Sequence, residues 1–93
     1  MSEVNKFYAI EKLVKGFANH RKAEVIFLLG SKPELSVVEI SEQLKCNFAT
    51  ISDHIRKLAQ SGIVMKRNDG NFVRHALTKK GKDVLRFLKE ITE

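Results

Sequence analysis

Residues 36–58 read SVVEISEQLKCNFATISDHIRKL, and the fold turns on how this stretch is punctuated. Ser36-x-x-Glu39 has the form of a capping box, in which each side chain satisfies the other residue's free backbone N–H. It opens a helix expected from about Val37 to Leu44, burying Val37, Val38, Ile40 and Leu44. Lys45-Cys46 form a turn, and Asn47 caps a second helix from about Phe48 to Ser61. Gly62 stands where a helix end needs left-handed backbone. Two short capped helices joined this tightly, with basic strands next, present one helix to the major groove of DNA and a β-wing to the adjacent backbone.

Working outward, Ile63–Asn68 and Asn71–Leu77 read as paired strands around the hairpin dipeptide Asp69-Gly70. Thr78 caps a last helix from about Lys79 to Ile91, with Val84, Leu85, Leu88 and Ile91 on one face and Phe87 beside it. On the N-terminal side, Glu34-Leu35 is a short extended link, able to make a single β-bridge. Asn19 caps a helix from about His20 to Gly30, with Ala23, Val25, Ile26, Phe27, Leu28 and Leu29 buried. Gly30 ends it, and Ser31-Lys32-Pro33 does not continue it.

Ser2 can cap a first helix from about Glu3 to Gly16. Its apolar residues Val4, Phe7, Tyr8, Ile10, Leu13, Val14 and Phe17 exceed one narrow stripe. That width suits one side on the core and another on a partner subunit. The expected fold class is α+β, mainly helical: a winged helix-turn-helix of four helices, a two-stranded β-wing and a C-terminal helix. Residues 1–93 are read as a single DNA-binding domain.

Composition agrees. A chain of 93 residues with 43% hydrophobic content folds as one domain. No apolar run approaches the roughly 20 residues of a membrane span. MSEVNKFY (1–8) has acid and amide residues where a signal peptide needs cations, and a lone cysteine fits a reducing compartment. The expected location is the cytoplasm. The net charge of +6 is uneven: Lys45 to Lys82 holds nine Lys/Arg against Asp53 and Asp69, a local +7. A basic C-terminal half suggests a polyanion partner.

On a wheel of about 100° per residue, Ile51, Ile55 and Leu58 share the inner face of the second helix. Opposite lie Ala49, Asp53, Arg56 and Gln60, with Thr50, Ser52 and Lys57 on the flanks. Small residues let a helix sit deep, hydroxyls reach phosphates or base edges, and Arg takes guanine bidentately. The helix N-terminus favours a phosphate. Asp53 repels phosphate, yet it can accept from cytosine or orient Arg56. On the wing, Lys66, Arg67 and Arg74 flank the turn as backbone or minor-groove contacts.

From about Gly16 to Leu77 the chain resembles the ArsR-type winged helix-turn-helix repressors. The matching pieces are FANHRKAEVIFLL (17–29), ELSVVEISEQL (34–44), NFATISDHIRKLAQSGIV (47–64) and KRNDGNFVRHAL (66–77). The most specific is Thr50, Ser52, His54 and Ile55 followed by Leu58 and Ser61-Gly62-Ile63-Val64. LTKKGKDVL (77–85) is shared with other winged-helix groups. The resemblance implies a homodimer, paired through first and last helices, on an imperfect palindrome of double-stranded DNA. It puts Phe48, Ala49, Thr50, Ser52 and Asp53 in DNA-facing slots. Phe48 replaces the usual polar residue; it either reaches a thymine methyl or folds back as a hydrophobic cap, and the cap is expected.

The family's metal sensing is not expected here. Ser36 and Val38 stand where the resemblance would place thiolates, and the last helix has no histidine. No catalytic residues, metal ligands or cofactors are assigned: His20, His54 and His75 are scattered, with no nucleophile–base pair. His54 is expected to be half-buried and Cys46 a small buried hydrophobe in the turn. His75 is expected on the wing surface, as a phosphate contact or simply solvated. The expected function is sequence-specific transcriptional regulation, with a protein-docking winged-helix module as runner-up.

Overall fold

The caps decide where the helices begin. The computed structural model describes the backbone of residues 3–93 and side chains from Asn5 onward, so the Ser2 cap and the burial of Val4 lie outside the described residues. Asn19 accepts from the N–H groups of Arg21 and Lys22, and Asn47 from those of Ala49 and Thr50. Ser36 and Glu39 make both halves of the capping box, and Thr78 accepts from Gly81. The order is α1 (Glu3–Phe17), α2 (His20–Ser31), α3 (Val37–Leu44), α4 (Phe48–Gln60), β1 (Val64–Asp69), β2 (Phe72–Leu77) and α5 (Lys79–Thr92). This is the expected winged helix-turn-helix.

α3 and α4 join through Lys45, which adopts a left-handed φ of 52° while the Cys46 N–H donates to Ser41 O at 3.0 Å. β1 and β2 are antiparallel, with Val64 opposite Leu77 and Asp69 opposite Phe72. The loop is therefore Gly70-Asn71, one residue beyond the expected Asp69-Gly70. Gly70 has φ 62° and Asn71 does not share its sign, as when glycine takes the first central position of a type II′ turn. Leu35 makes the expected single bridge, to His75.

The core gathers Val25, Ile26 and Leu29 of α2, Ile40 of α3, and Ile51, Ile55 and Leu58 of α4. Ile63, Val64, Leu77 and Val84 close it from the wing root and α5. One expectation about burial fails. Val38 is exposed, because α3 turns that side toward the wing rather than inward. α1 turns one side to the core, with Gly16 buried and Leu13 and Phe17 half-buried, whereas Phe7, Tyr8, Ile10 and Val14 stay exposed. From Ala9 onward it borders Gln60 and Ser61 at the end of α4.

Gly30 does not end α2, which continues to Ser31. Its missing side chain instead admits α5: a Cβ there would lie 2.3 Å from Leu85 Cδ2. α5 is fixed at its start by Thr78, whose N–H donates to Ile63 O at 3.0 Å and whose hydroxyl donates to Gly62 O at 2.5 Å. Beside it, a Cβ on Gly81 would meet Ile63 O at 2.2 Å.

The two glycines should respond differently to alanine. Gly81→Ala forces a backbone oxygen to move and is expected to lower stability by about 2 kcal/mol, overpacking outweighing helix propensity. Gly30→Ala displaces only the end of a leucine and should stay within about 1 kcal/mol of the parent. Urea midpoints measure both; the reverse order would contradict the packing described.

Candidate nucleic-acid interface

Burying Ile51, Ile55 and Leu58 leaves the rest of α4 no choice of direction. Ala49, Thr50, Arg56, Lys57 and Gln60 are exposed, and Ser52 and Asp53 are half-exposed. At the N-terminus, Asn47 Oδ1 occupies the N–H groups of Ala49 (2.7 Å) and Thr50 (3.2 Å). A phosphate at this helix end would have to displace that cap. Arg56 and Lys57 both turn to Asp53, Lys57 at 3.1 Å. Those bonds hold the Asp53 carboxyl below its ordinary range.

On the wing, Arg67 and Arg74 stand directly opposite one another. Like charges in register repel, and acids from the wing and from the segment ahead of it offset this. Glu34 pairs with Arg67 at 2.9 Å. Arg74 reaches Glu39 at 3.1 Å, Asp69 at 3.4 Å and the Glu34 carbonyl at 3.4 Å, with its guanidinium 5.2 Å from the Phe72 ring centre. It is a half-buried strut tying the wing to α3. Bonds from the Ser36 backbone and hydroxyl, and then the charge of Arg74, hold Glu39 below the usual carboxylate range. Lys66 forms no ion pair with a described residue.

His75 corrects the sequence reading. It is not at the wing surface but 1% exposed, and its Nδ1 lies 2.8 Å from the Leu35 carbonyl. Glu34 donates its N–H to His75 O at 2.8 Å, and His75 donates its own to Leu35 O at 2.9 Å. The ring is thus enclosed by the link ahead of α3. Burial pushes its pKa down, opposed by the Leu35 bond, and Lys66 adds to the lowering. His54 is half-buried as expected; its Nδ1 is enclosed without a hydrogen bond, and burial, then Lys22, lowers its pKa. Cys46 is half-buried against the core and unbridged. Phe48 does not fold back as a cap: it is exposed.

Ser36 and Val38 supply no thiolate for a metal. Ser36 Oγ accepts the Glu39 N–H at 3.2 Å within the cap, and Val38 has no donor atom. Among the described residues no group of three or more His, Cys, Asp or Glu could hold an ion. No described helix is long and apolar enough to cross a membrane.

Residues 19–66 match the family model described as bacterial regulatory protein, arsR family. The chain is 26% identical over 68 residues to a cadmium resistance transcriptional regulatory protein CadC homolog of Staphylococcus aureus; the match takes 73% of this chain and 56% of that protein, just over half its length. HlyU from Vibrio cholerae superposes with TM-score 0.81 at 26% identity, over 94% of this chain and 95% of that one. The homodimeric winged helix-turn-helix domain of Mb0332 from Mycobacterium bovis, a possible ArsR-family regulator, superposes with TM-score 0.86 at 19% identity. That alignment covers 96% of this chain and 82% of the other, and shows a shared fold.

The two enclosed histidines set a pH dependence. Both have folded pKa values below the ordinary 6.5. Below that pH the unfolded chain binds protons that the folded one refuses, so stability is full above about pH 6.5 and falls as pH drops. Urea unfolding from pH 7.5 to 5.5 should show this decline, and His75→Gln should flatten it. An unchanged slope in the variant would contradict the placement of His75.

Proposed function

The chain belongs to the ArsR family of bacterial regulatory proteins, and from that premise we propose that it is a homodimeric repressor reading an imperfect palindrome of double-stranded DNA. Residues 1–93 act as one DNA-binding domain within the cytoplasm, without enzymatic activity. In each protomer α4 enters the major groove. Ala49, Thr50, Ser52, Asp53 and Arg56 face the bases, while Lys57 and Gln60 reach the flanking backbone. The wing lies on the adjacent backbone through Lys66 and Arg67, with Arg74 holding it in place.

The observation that carries this reading is the division of α4. One face is fully buried, and the opposite one is small and polar at its start and cationic further on. The dimer has its own support. Phe7, Tyr8, Ile10 and Val14 of α1, with Phe87 and Ile91 of α5, are exposed apolar side chains on the first and last helices. A second copy of the chain would cover them. Ser36 and Val38 offer no thiolates, so this reading does not rest on metal sensing.

Selection of bound fragments from a genomic library at two salt concentrations tests the reading. A recurring, roughly palindromic site is expected, bound much less tightly at the higher salt. Arg56→Ala should relax the sequence preference. Lys66→Ala should weaken all sequences alike and reduce the salt slope by about 1. A fragment pool with no preferred site, or a monomer in sedimentation, would overturn it.

A further inference from the structure

Four large apolar side chains line one open groove between α3, the start of α4 and the wing. Val38 is 50% exposed, Phe48 53%, Phe72 57% and Val73 41%. The groove encloses about 490 Å³, and Arg74 forms part of its wall. Neither the core nor the first and last helices account for this patch. Its charged lining residues, Arg74 and Glu39, pair with each other at 3.1 Å.

An apolar groove beside the start of α4 and the wing calls for an occupant with an apolar edge of its own, since the groove's one cation, Arg74, is already paired with Glu39 and Asp69. Double-stranded DNA offers such an edge: in the major groove thymine presents a C5-methyl. The groove is also continuous with the elements that approach DNA. Phe48 is the first residue of α4, and Phe72 and Val73 open the second strand of the wing. The wall is preset. Glu39 and Asp69 hold Arg74 at 3.1 and 3.4 Å, and its guanidinium lies over the Phe72 ring. Little side-chain freedom remains to be lost there on binding.

We propose that the groove formed by Val38, Phe48, Phe72 and Val73 is a thymine-methyl site, placing a thymine of each half-site against Phe48 and Phe72. The site rests on the reading of α4 and the wing as the DNA face, and it makes the two phenylalanines determinants of sequence preference.

The test uses fragments selected by the parent protein, amplified once with thymidine and once with deoxyuridine triphosphate. Uracil keeps the pairing edge and lacks only the methyl. The parent should bind the uracil form about fourfold more weakly per buried methyl, roughly fifteenfold for two half-sites. In Phe48→Ser and Phe72→Ser the difference should shrink below about twofold, both side chains being largely solvent-exposed and so dispensable for folding. Equal binding of both forms by a parent that still prefers its site overturns the groove and leaves the DNA reading standing. A methyl effect that survives both substitutions also overturns it, since the methyl is then read elsewhere. If the serine variants change the oligomeric state instead, the groove is a contact between copies. A parent with no preferred fragment overturns both readings together.

Discussion

Three aliphatic side chains govern the surface. Ile51, Ile55 and Leu58 are fully buried against α2 and the wing root, and a helix has only one face to bury. Once they are inside, the direction of every other residue of α4 follows from the helical repeat. Large-to-small changes at such positions typically cost 2–5 kcal/mol, a large share of what a domain of this size holds. The same packing fixes the angle at which α4 leaves the α3 turn, through a left-handed Lys45. The buried stripe and the exposed one are therefore a single constraint seen from two sides.

Charge complicates the simple picture of a basic surface. The cations best placed for a polyanion are held by acids of the same chain: Arg56 and Lys57 by Asp53, Arg67 by Glu34, Arg74 by Glu39 and Asp69. Binding a phosphate at Arg56 or Arg67 is an exchange of partners, not the capture of a free ion. Exposed pairs of this kind are individually weak, so the exchange costs little. Lys66, without an ion-pair partner among the described residues, is the exception on the wing.

Local signals were legible and distant ones were not. Asn19, Ser36, Asn47 and Thr78 cap the helices they were expected to cap, since capping depends on residues two or three apart. The inner face of α4 followed from periodicity alone. The ArsR resemblance, carried by Thr50, Ser52, His54 and Ile55, agrees with the family match over residues 19–66. What escaped were contacts between residues 35 to 40 apart. His75 is buried by its bonds to Leu35, and Arg74 is anchored by Glu39 and the Glu34 carbonyl. No spacing rule predicts such pairs. Phe48 and Val38 were misread for a related reason: an apolar residue near a helix start looks like a cap or core member until its neighbours are placed.

The account depends most on two copies of α4 meeting one face of a duplex. Hydroxyl-radical footprinting of a selected fragment measures that directly. Two protected windows on the same face, separated by a whole number of helical turns of about 10.5 base pairs, are the expected result. A single window, or uniform protection along the fragment, would contradict it.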